Sequence, residues 1–338
     1  YKRQLLETTQ GQSFAADLVN GLSEPTTIHW HGIRIANAMD GVAYLTQEPV
    51  VPNETFAYRF TPPDAGTYWY HPHNRTWEQM ARGLYGMLIV REAEPPAIDR
   101  DVPLVFDDWR LDRGGRIDER SFEAIHDKAH AGRLGNVLSL NGKPTDDIDV
   151  LAGERVRLRL LNAANARIMA VAIEGHAATV IALDGQPVTP FKPDGNVILL
   201  APAQRADVLI DMTHETGTRS KIEVLTQREK IHMGDIVYDK RRRHRERPLT
   251  SKFALPLNPM PTDLDLANAT TTELVMTGGA MGQMASARYQ GREVPIRELA
   301  RRHGKVWAFN GEVGMSGEPL AKYTRGETVK VQMVNRTA

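Results

Sequence analysis

Four of the eleven histidines in this sequence form two pairs, each with one residue between its members. The first pair, His29 and His31, lies in TTIHWHG, and the second, His71 and His73, lies in YWYHPH. Residues two apart in an extended strand point to the same side, so each pair can present two imidazoles together. Pro72 favours this geometry, because the residue before a proline is pushed towards extended conformations. Four imidazoles from adjacent strands would form a nitrogen-rich metal site, which favours copper or zinc over calcium or magnesium.

The histidines have two other interpretations. Each could be a polar residue on a strand face, which is the usual situation for a single histidine. A zinc hydrolase of the H-x-H-x-D-H type is a second alternative, but Gly32 and Ile33 follow His31 and no Asp-His is present. The histidines outside the two pairs are predicted to be structural or solvated: His126, His130, His176, His214, His232, His244 and His303.

The elements that must position these side chains are predicted to be β-strands. A glycine, alternating apolar and polar residues, and a closing asparagine occur at 11–20, 153–162 and 326–335. This alternation predicts half-buried strands, and the wide spacing of the repeats indicates duplicated domains. Frequent Pro, Gly and Asp between other β-rich runs indicate antiparallel sandwiches. The predicted fold class is therefore all-β, with short helices at TWEQMARGLYG and IRELARRHG.

The repeats and the segments between them predict the domain boundaries. Residues 1–94 form the first domain, which carries both histidine pairs, and residues 97–232 form the second. The second domain has NARIMAVAIEG where the first has HWHG, so it is predicted to bind no metal. A basic and then proline-rich linker is predicted over 233–270, followed by the incomplete start of a third domain over 271–338.

The composition excludes several classes of protein. Lys+Arg and Asp+Glu both number 42, so the formal net charge is zero and nothing indicates a nucleic-acid partner. No apolar run reaches the ~18 residues of a transmembrane helix, so we expect no membrane span. The sequence has no cysteine, which excludes disulfides, thiol nucleophiles and cysteine-containing metal sites among these residues.

Several segments resemble the multicopper oxidases, the family of laccases, bilirubin oxidases and bacterial copper-efflux oxidases. TTIHWHG, MDG, TPPDAGTYWYHPH and RGLYGMLIV resemble the first domain, and APAQRADVLID and VWAFNG resemble the second domain and the beginning of the third. The resemblance implies tandem cupredoxin-like Greek-key β-sandwiches in a periplasmic or secreted protein. It also implies oxidation of a small reducing substrate, such as a phenol or a metal ion, coupled to reduction of O2 to water.

The resemblance further implies a role for each paired histidine. His29 would bind the type 2 copper, and His31 and His71 would share one of the two type 3 coppers. His73 would bind the other type 3 copper. Asp40 matches an acidic residue that is thought to relay protons in the family, and a plain turn residue is an equally good interpretation of it.

The sequence departs from the family in its third domain. The family motifs H-P-x-H-x-H-G-H and H-C-H-x-x-x-H do not occur in these 338 residues, and the type 1 copper needs a cysteine thiolate. Truncation is the simplest expectation, and a naturally short, catalytically silent copper-binding or scaffold protein of the same fold is the alternative. We expect these residues alone to bind copper weakly and without turnover.

Two further expectations concern the third domain. The open edges of an incomplete sandwich favour association into an oligomer. Met276, Met281 and Met284 could bind Cu(I) as soft ligands, but a flexible loop is the favoured interpretation of this segment.

Overall fold

The computed structural model describes residues 5–246, 249, 253–261, 263–315 and 317–337. The first four residues of the predicted first domain and parts of the predicted linker therefore lie outside the described residues. Strands dominate and the helices are short, which confirms the all-β prediction. Among the described residues, no helix has the length and apolar character needed to cross a membrane.

The chain forms two compact units. The first comprises Tyr1–Ile117 and Gly135–Pro259, and the second comprises Asp118–Leu134 and Met260–Ala338. Part of the predicted second domain, 97–232, thus belongs to the second unit. Backbone pairing gives the reason, because the Ala280 amide donates to the Ala129 carbonyl at 2.9 Å.

The predicted first domain is a sandwich of two sheets within the first unit. Its strands are β1 (Leu6–Thr9), β2 (Phe14–Val19), β3 (His29–His31), β4 (Thr55–Phe60), β5 (Gly66–His71) and β6 (Gly86–Arg91). One sheet has the order β1-β6-β5-β3, and β2 pairs with β4 in the other. The core between the sheets is largely aromatic and includes Phe14, Trp30, Tyr58, Phe60 and Tyr68. The helical turns are Asn37–Met39, α1 (Thr76–Gln79) and Met80–Arg82, the last two at the predicted TWEQMARGLYG.

The predicted second domain is a larger sandwich in the same unit. Its strands are β7 (Arg100–Trp109), β8 (Val137–Leu140), β9 (Ile148–Ala152), β10 (Arg155–Asn162), β11 (Met169–Ile173), β12 (Thr179–Leu183), β13 (Gln186–Phe191), β14 (Val197–Leu200), β15 (Arg205–Asp211), β16 (Arg219–Leu225) and β17 (Lys230–Arg243), with a 3-10 turn at Asp194–Asn196. The sheet orders are β13-β12-β15-β10-β7-β8 and β14-β11-β16-β17-β9. Apolar residues from both sheets form one core between them.

The predicted linker over 233–270 begins too early. Strand β17 continues to Arg243, antiparallel to β16 and parallel to β9. The basic run at its end indicated a linker, but backbone pairing does not require apolar side chains. A strand end can therefore be exposed and basic, and the second domain extends about one strand further than predicted.

The second unit contains short elements from two parts of the sequence. They are a 3-10 turn at Glu119–Glu123, α2 (Ile125–Ala129), β18 (Thr270–Gly278), β19 (Ser286–Tyr289), β20 (Arg292–Pro295), α3 (Ile296–His303), β21 (Trp307–Phe309) and β22 (Val329–Thr337). Helix α3 lies at the predicted IRELARRHG, and β22 covers most of the third repeat. One sheet has the order β21-β18-β22, and β19 pairs with β20.

The second repeat differs from the predicted half-buried strand. Strand β10 is buried along its whole length, including Arg155, Arg157 and Arg159, whereas β2 in the first repeat alternates as predicted. Charged side chains are almost never fully buried without partners. The polar positions of β10 must therefore face charged groups rather than solvent.

Those charged groups join the first two domains. Arg157 donates to Glu92 of the first domain at 2.7 Å and also pairs with Asp207. Arg159 donates to Thr67 of the first domain at 2.9 Å and pairs with Asp101 at 3.0 Å. Burial alone would raise the pKa of Asp207, but the neighbouring arginines hold it below its usual value. The network thus fixes the first domain, and its histidine-bearing strand β5, against the second.

Candidate metal centre

Strands β3 and β5 bring the two histidine pairs together. Their antiparallel register places His29 opposite His71 and Trp30 opposite Tyr70. Trp30 points into the aromatic core and is 2% exposed. Because side chains alternate along a strand, His29 and His31 lie on the other face of β3, towards His71.

All four rings converge on one region of the first domain. The centroid of the His29 ring lies 5.6 Å from that of His31 and 5.3 Å from that of His71. The His73 ring is also 5.3 Å from His29. Nδ1 of His31 and Nε2 of His71 lie 3.3 Å apart. The convergence predicted from the spacing is therefore present.

The second pair is held differently from the first. Strand β5 ends at His71, so His73 lies just beyond the strand and not within it. Its backbone amide donates to Oγ1 of the buried Thr27 at 3.2 Å. The extended geometry expected for this pair therefore reaches His71 only, and a hydrogen bond to Thr27 fixes the backbone at His73.

Hydrogen bonds fix the orientation of two of the rings. Nδ1 of His29 lies 2.8 Å from the Asp40 carbonyl, and Nδ1 of His71 lies 2.9 Å from the Pro72 carbonyl. A carbonyl can only accept, so Nδ1 must carry the proton in both rings. Nε2 therefore keeps its lone pair, and this arrangement is the usual one for histidines that bind metals.

The environment favours the neutral form of three of these imidazoles, those of His31, His71 and His73. Burial, with the nearby Arg205 charge as the second cause, lowers the pKa of His31 to about 3. Burial lowers the pKa of His71 to about 4 and also lowers that of His73. Neutral imidazole is the form that binds a metal ion, so no proton has to leave these rings at neutral pH.

The imidazole nitrogens of this cluster suit a copper or zinc ion. Two nitrogens that each bind one ion at about 2.0 to 2.1 Å cannot be more than about 4.2 Å apart. The 3.3 Å between His31 and His71 satisfies that limit. Ligand nitrogens of His29, His31 and His71 all lie within 4.8 Å of one another. A centre built of imidazoles favours such ions over calcium and magnesium.

Asp40 lies beside the centre, and its main chain makes the shorter contact. The carboxylate is 3.4 Å from Nδ1 of His29 and 30% exposed, whereas the Asp40 carbonyl is 2.8 Å from that nitrogen. Glycine at position 41 allows the Asp40 carbonyl to lie this close to Nδ1 of His29. Its φ is +76°, and a Cβ there would lie 1.7 Å from the Ile28 carbonyl oxygen. The turn therefore positions His29 through its backbone.

We expect Asp40→Asn to leave copper affinity within about threefold of the original, because the carbonyl that orients His29 remains. Competition with a chromogenic copper chelator gives the affinity. Asp40→Pro is the matched disruptive variant, since it alters the backbone of the turn as well. A large loss of affinity in Asp40→Asn alone would mean that the carboxylate itself holds the ring or the metal.

Two supporting residues received no role from the sequence. Arg205 is buried, donates to the Thr67 carbonyl at 3.2 Å, and fills the space where a Cβ of Gly32 would lie. The Trp69 ring lies 5.1 Å from that of His31 and 4.4 Å from that of His71. In the sequence, the one indication that Arg205 matters is its position in APAQRADVLID, the segment that resembles the second domain of the family.

Two histidines of the second domain, His176 and His214, contact other protein groups. Nε2 of His176 lies 2.8 Å from the Tyr238 hydroxyl, and its Nδ1 lies 2.8 Å from the Glu174 carbonyl. Nε2 of His214 is 2.9 Å from the Gly175 carbonyl. These contacts agree with the structural role predicted for both histidines.

The methionine segment divides between interior and surface. Met284 packs against the core of the second unit, and its sulfur lies 3.5 Å from the Thr277 hydroxyl. Met281 is 76% exposed. Met276 lies within strand β18, so the loop interpretation holds at most for Met281 and Met284, which follow that strand.

Comparison with known proteins places this chain in a family. Two multicopper oxidase domain models match residues 3–95 and 101–219. The crystal structure of Lac15 from a marine microbial metagenome is 34% identical, with a TM-score of 0.74, over 98% of this chain and 73% of that one. Multicopper oxidase MmcO of Mycobacterium tuberculosis is 30% identical over 61% of this chain and 45% of its own length. Laccase-15 of Oryza sativa subsp. japonica is 32% identical over 61% of this chain and 36% of its own.

The tandem β-sandwiches and the two matched domain models define the class of protein. The chain belongs to the multicopper oxidase family, and the predicted tandem cupredoxin-like sandwiches are confirmed by its structural relatives. The chain spans less than half the length of the two curated relatives named above.

Proposed function

We propose that His29, His31, His71 and His73 hold copper in the oxygen-reducing centre of a laccase-like multicopper oxidase. The observation that carries the proposal is the convergence of four imidazoles, three of which have ligand nitrogens within 4.8 Å of one another. By family resemblance, His29 serves the type 2 copper, His31 and His71 share one type 3 copper, and His73 serves the other. Copper bound there would supply the one-electron chemistry that the side chains lack.

The chain's own residues prepare the site. The Asp40 and Pro72 carbonyls orient two imidazoles, and Trp69 covers His31 and His71 from one side. The Asp40 carboxylate is 30% exposed and lies 3.4 Å from Nδ1 of His29, which supports a role in passing protons inward. These roles leave electron transfer to copper and give the protein the positioning and the proton supply.

The proposed reducing substrate is a small one-electron donor, a phenol or a metal ion, with O2 as the acceptor. Relatives named as laccases support the first class. The proposal also places the protein in the periplasm or outside the cell, which fractionation of cells that express it would test.

These 338 residues contain no cysteine, so they cannot supply the thiolate of a blue copper site. We therefore expect the copper-loaded chain to lack intense blue absorption and to show no sustained O2 uptake with a phenol. A visible spectrum and an oxygen electrode give both results. A blue band, or continued O2 consumption that the His31→Asn variant loses, would show that this chain contains a complete oxidase site.

A further inference from the structure

A second pair of histidines stands apart from the four-histidine centre. His126 lies in helix α2, and His130 follows its last residue. Their rings are stacked, with centroids 4.2 Å apart and planes 16° from parallel. Both fall within the predicted second domain, for which no metal was predicted, and belong to the second compact unit. Two parallel imidazoles at this distance form a pair rather than two unrelated surface residues.

Hydrogen bonding leaves Nε2 of His130 available to bind a metal ion. Nδ1 of His130 lies 2.9 Å from the His126 carbonyl, so this nitrogen carries the proton and donates. Nε2 of His130 therefore keeps its lone pair, which is the orientation that metal-binding histidines show. The His126 side chain is 78% exposed, so it can rotate to direct a nitrogen towards the same point.

The surrounding charges tolerate a cation. Residues 118–134 contain Asp118, Glu119, Glu123 and Asp127 against Arg120, Lys128 and Arg133, so acids outnumber bases by one. The nearest base, Lys128, is paired with Glu123 at 2.9 Å. The Asp127 carboxylate lies 3.7 Å from Nδ1 of His126. An ion at the imidazoles would thus meet no unpaired lysine charge from this helix.

We propose that His126 and His130 chelate a divalent d-block cation such as Zn²⁺, Cu²⁺ or Ni²⁺, with water completing its coordination. The backbone amide of His130 donates to the His126 carbonyl at 3.1 Å, so the two residues lie one helical turn apart although His130 is outside α2. Histidines with this spacing can bind one ion together, and imidazole suits these metals. The site is independent of the four-histidine centre and of the proposed oxidase function. It is an accessible site at which the ion exchanges with solvent.

The test exploits chelation, in which each histidine depends on the other. Zn²⁺ is titrated onto the chain, and modification of each histidine by diethyl pyrocarbonate is followed by peptide mass spectrometry. This readout separates His126 and His130 from every other histidine. We expect both to become protected with the same midpoint. In His126→Asn, the midpoint for His130 should rise about tenfold or more, because the second ligand no longer adds its effective concentration.

His130→Asn should produce the reciprocal shift at His126, which covers the case in which one variant perturbs the helix. His303→Asn, in the same unit, is the control and should leave both midpoints unchanged. Absence of protection in the original chain would overturn the proposal. So would protection of His130 at an unchanged midpoint in His126→Asn, because the two histidines would then bind independently.

Discussion

Asp207→Asn is expected to lower the free energy of unfolding by about 3 to 5 kcal/mol, because it removes one partner of a buried ionic network. Asp207 is 1% exposed and lies between Arg157 and Arg159. Its other carboxylate oxygen accepts a hydrogen bond from Thr67 of the first domain at 2.5 Å. The substitution keeps the size of the side chain, so the loss reports on charge. Urea denaturation followed by tryptophan fluorescence measures it.

Asp147→Asn is the matched control for that loss. Asp147 also pairs with an arginine, Arg219, at 2.7 Å, but both side chains are about half exposed. Exposed pairs contribute at most about 1 kcal/mol, so this variant should unfold almost as the original does. Equal losses in Asp147→Asn and Asp207→Asn would contradict the buried network as the main connection between the first two domains.

The second large effect is expected from Gly41→Ala, which should lower copper affinity by about tenfold or more. The added Cβ would lie 1.7 Å from the Ile28 carbonyl oxygen, and the φ of +76° disfavours alanine. The turn must therefore move away from β3, and the Asp40 carbonyl moves with it. His29 then loses the acceptor that orients its ring. Chelator competition measures the affinity.

Gly11→Ala separates backbone strain from this displacement. Gly11 has a φ of +77°, close to that of Gly41, but a Cβ there meets nothing within 4 Å. We expect it to cost some stability and to leave copper affinity unchanged. Copper affinity that falls equally in both variants would show that strain, not the position of the Asp40 carbonyl, determines binding.

Spacing in the sequence predicted much of the candidate centre. The one-residue spacing of His29 and His31 indicates a shared face, and the structure confirms it in β3. The spacing could not show that β5 ends at His71, because the hydrogen bond from His73 to Thr27 depends on how two distant segments meet. The contact of Arg205 with Gly32 and Thr67 could not be predicted either, because it also joins segments that are distant in the sequence.

Strand periodicity was less informative where domains meet. The pattern of β10 is the same as that of β2, but its arginines are buried against Glu92, Thr67 and Asp207. Alternation of apolar and polar residues indicates that the two faces of a strand differ. It does not indicate whether the polar face meets solvent or another charged surface. The sequence did not predict that β17 continues to Arg243, because the basic end of this strand has the composition of a linker.

The most direct test of the copper centre is electron paramagnetic resonance of the Cu²⁺-loaded chain beside its His31→Asn/His71→Asn double variant. We predict nitrogen hyperfine couplings from several imidazoles in the original chain. Both samples also carry His126→Asn and His130→Asn, so that copper at the proposed exposed pair does not contribute. In the double variant, these couplings should diminish and copper affinity should fall at least about tenfold. A double variant with the spectrum and affinity of the original chain would contradict the account, because copper would then be bound elsewhere.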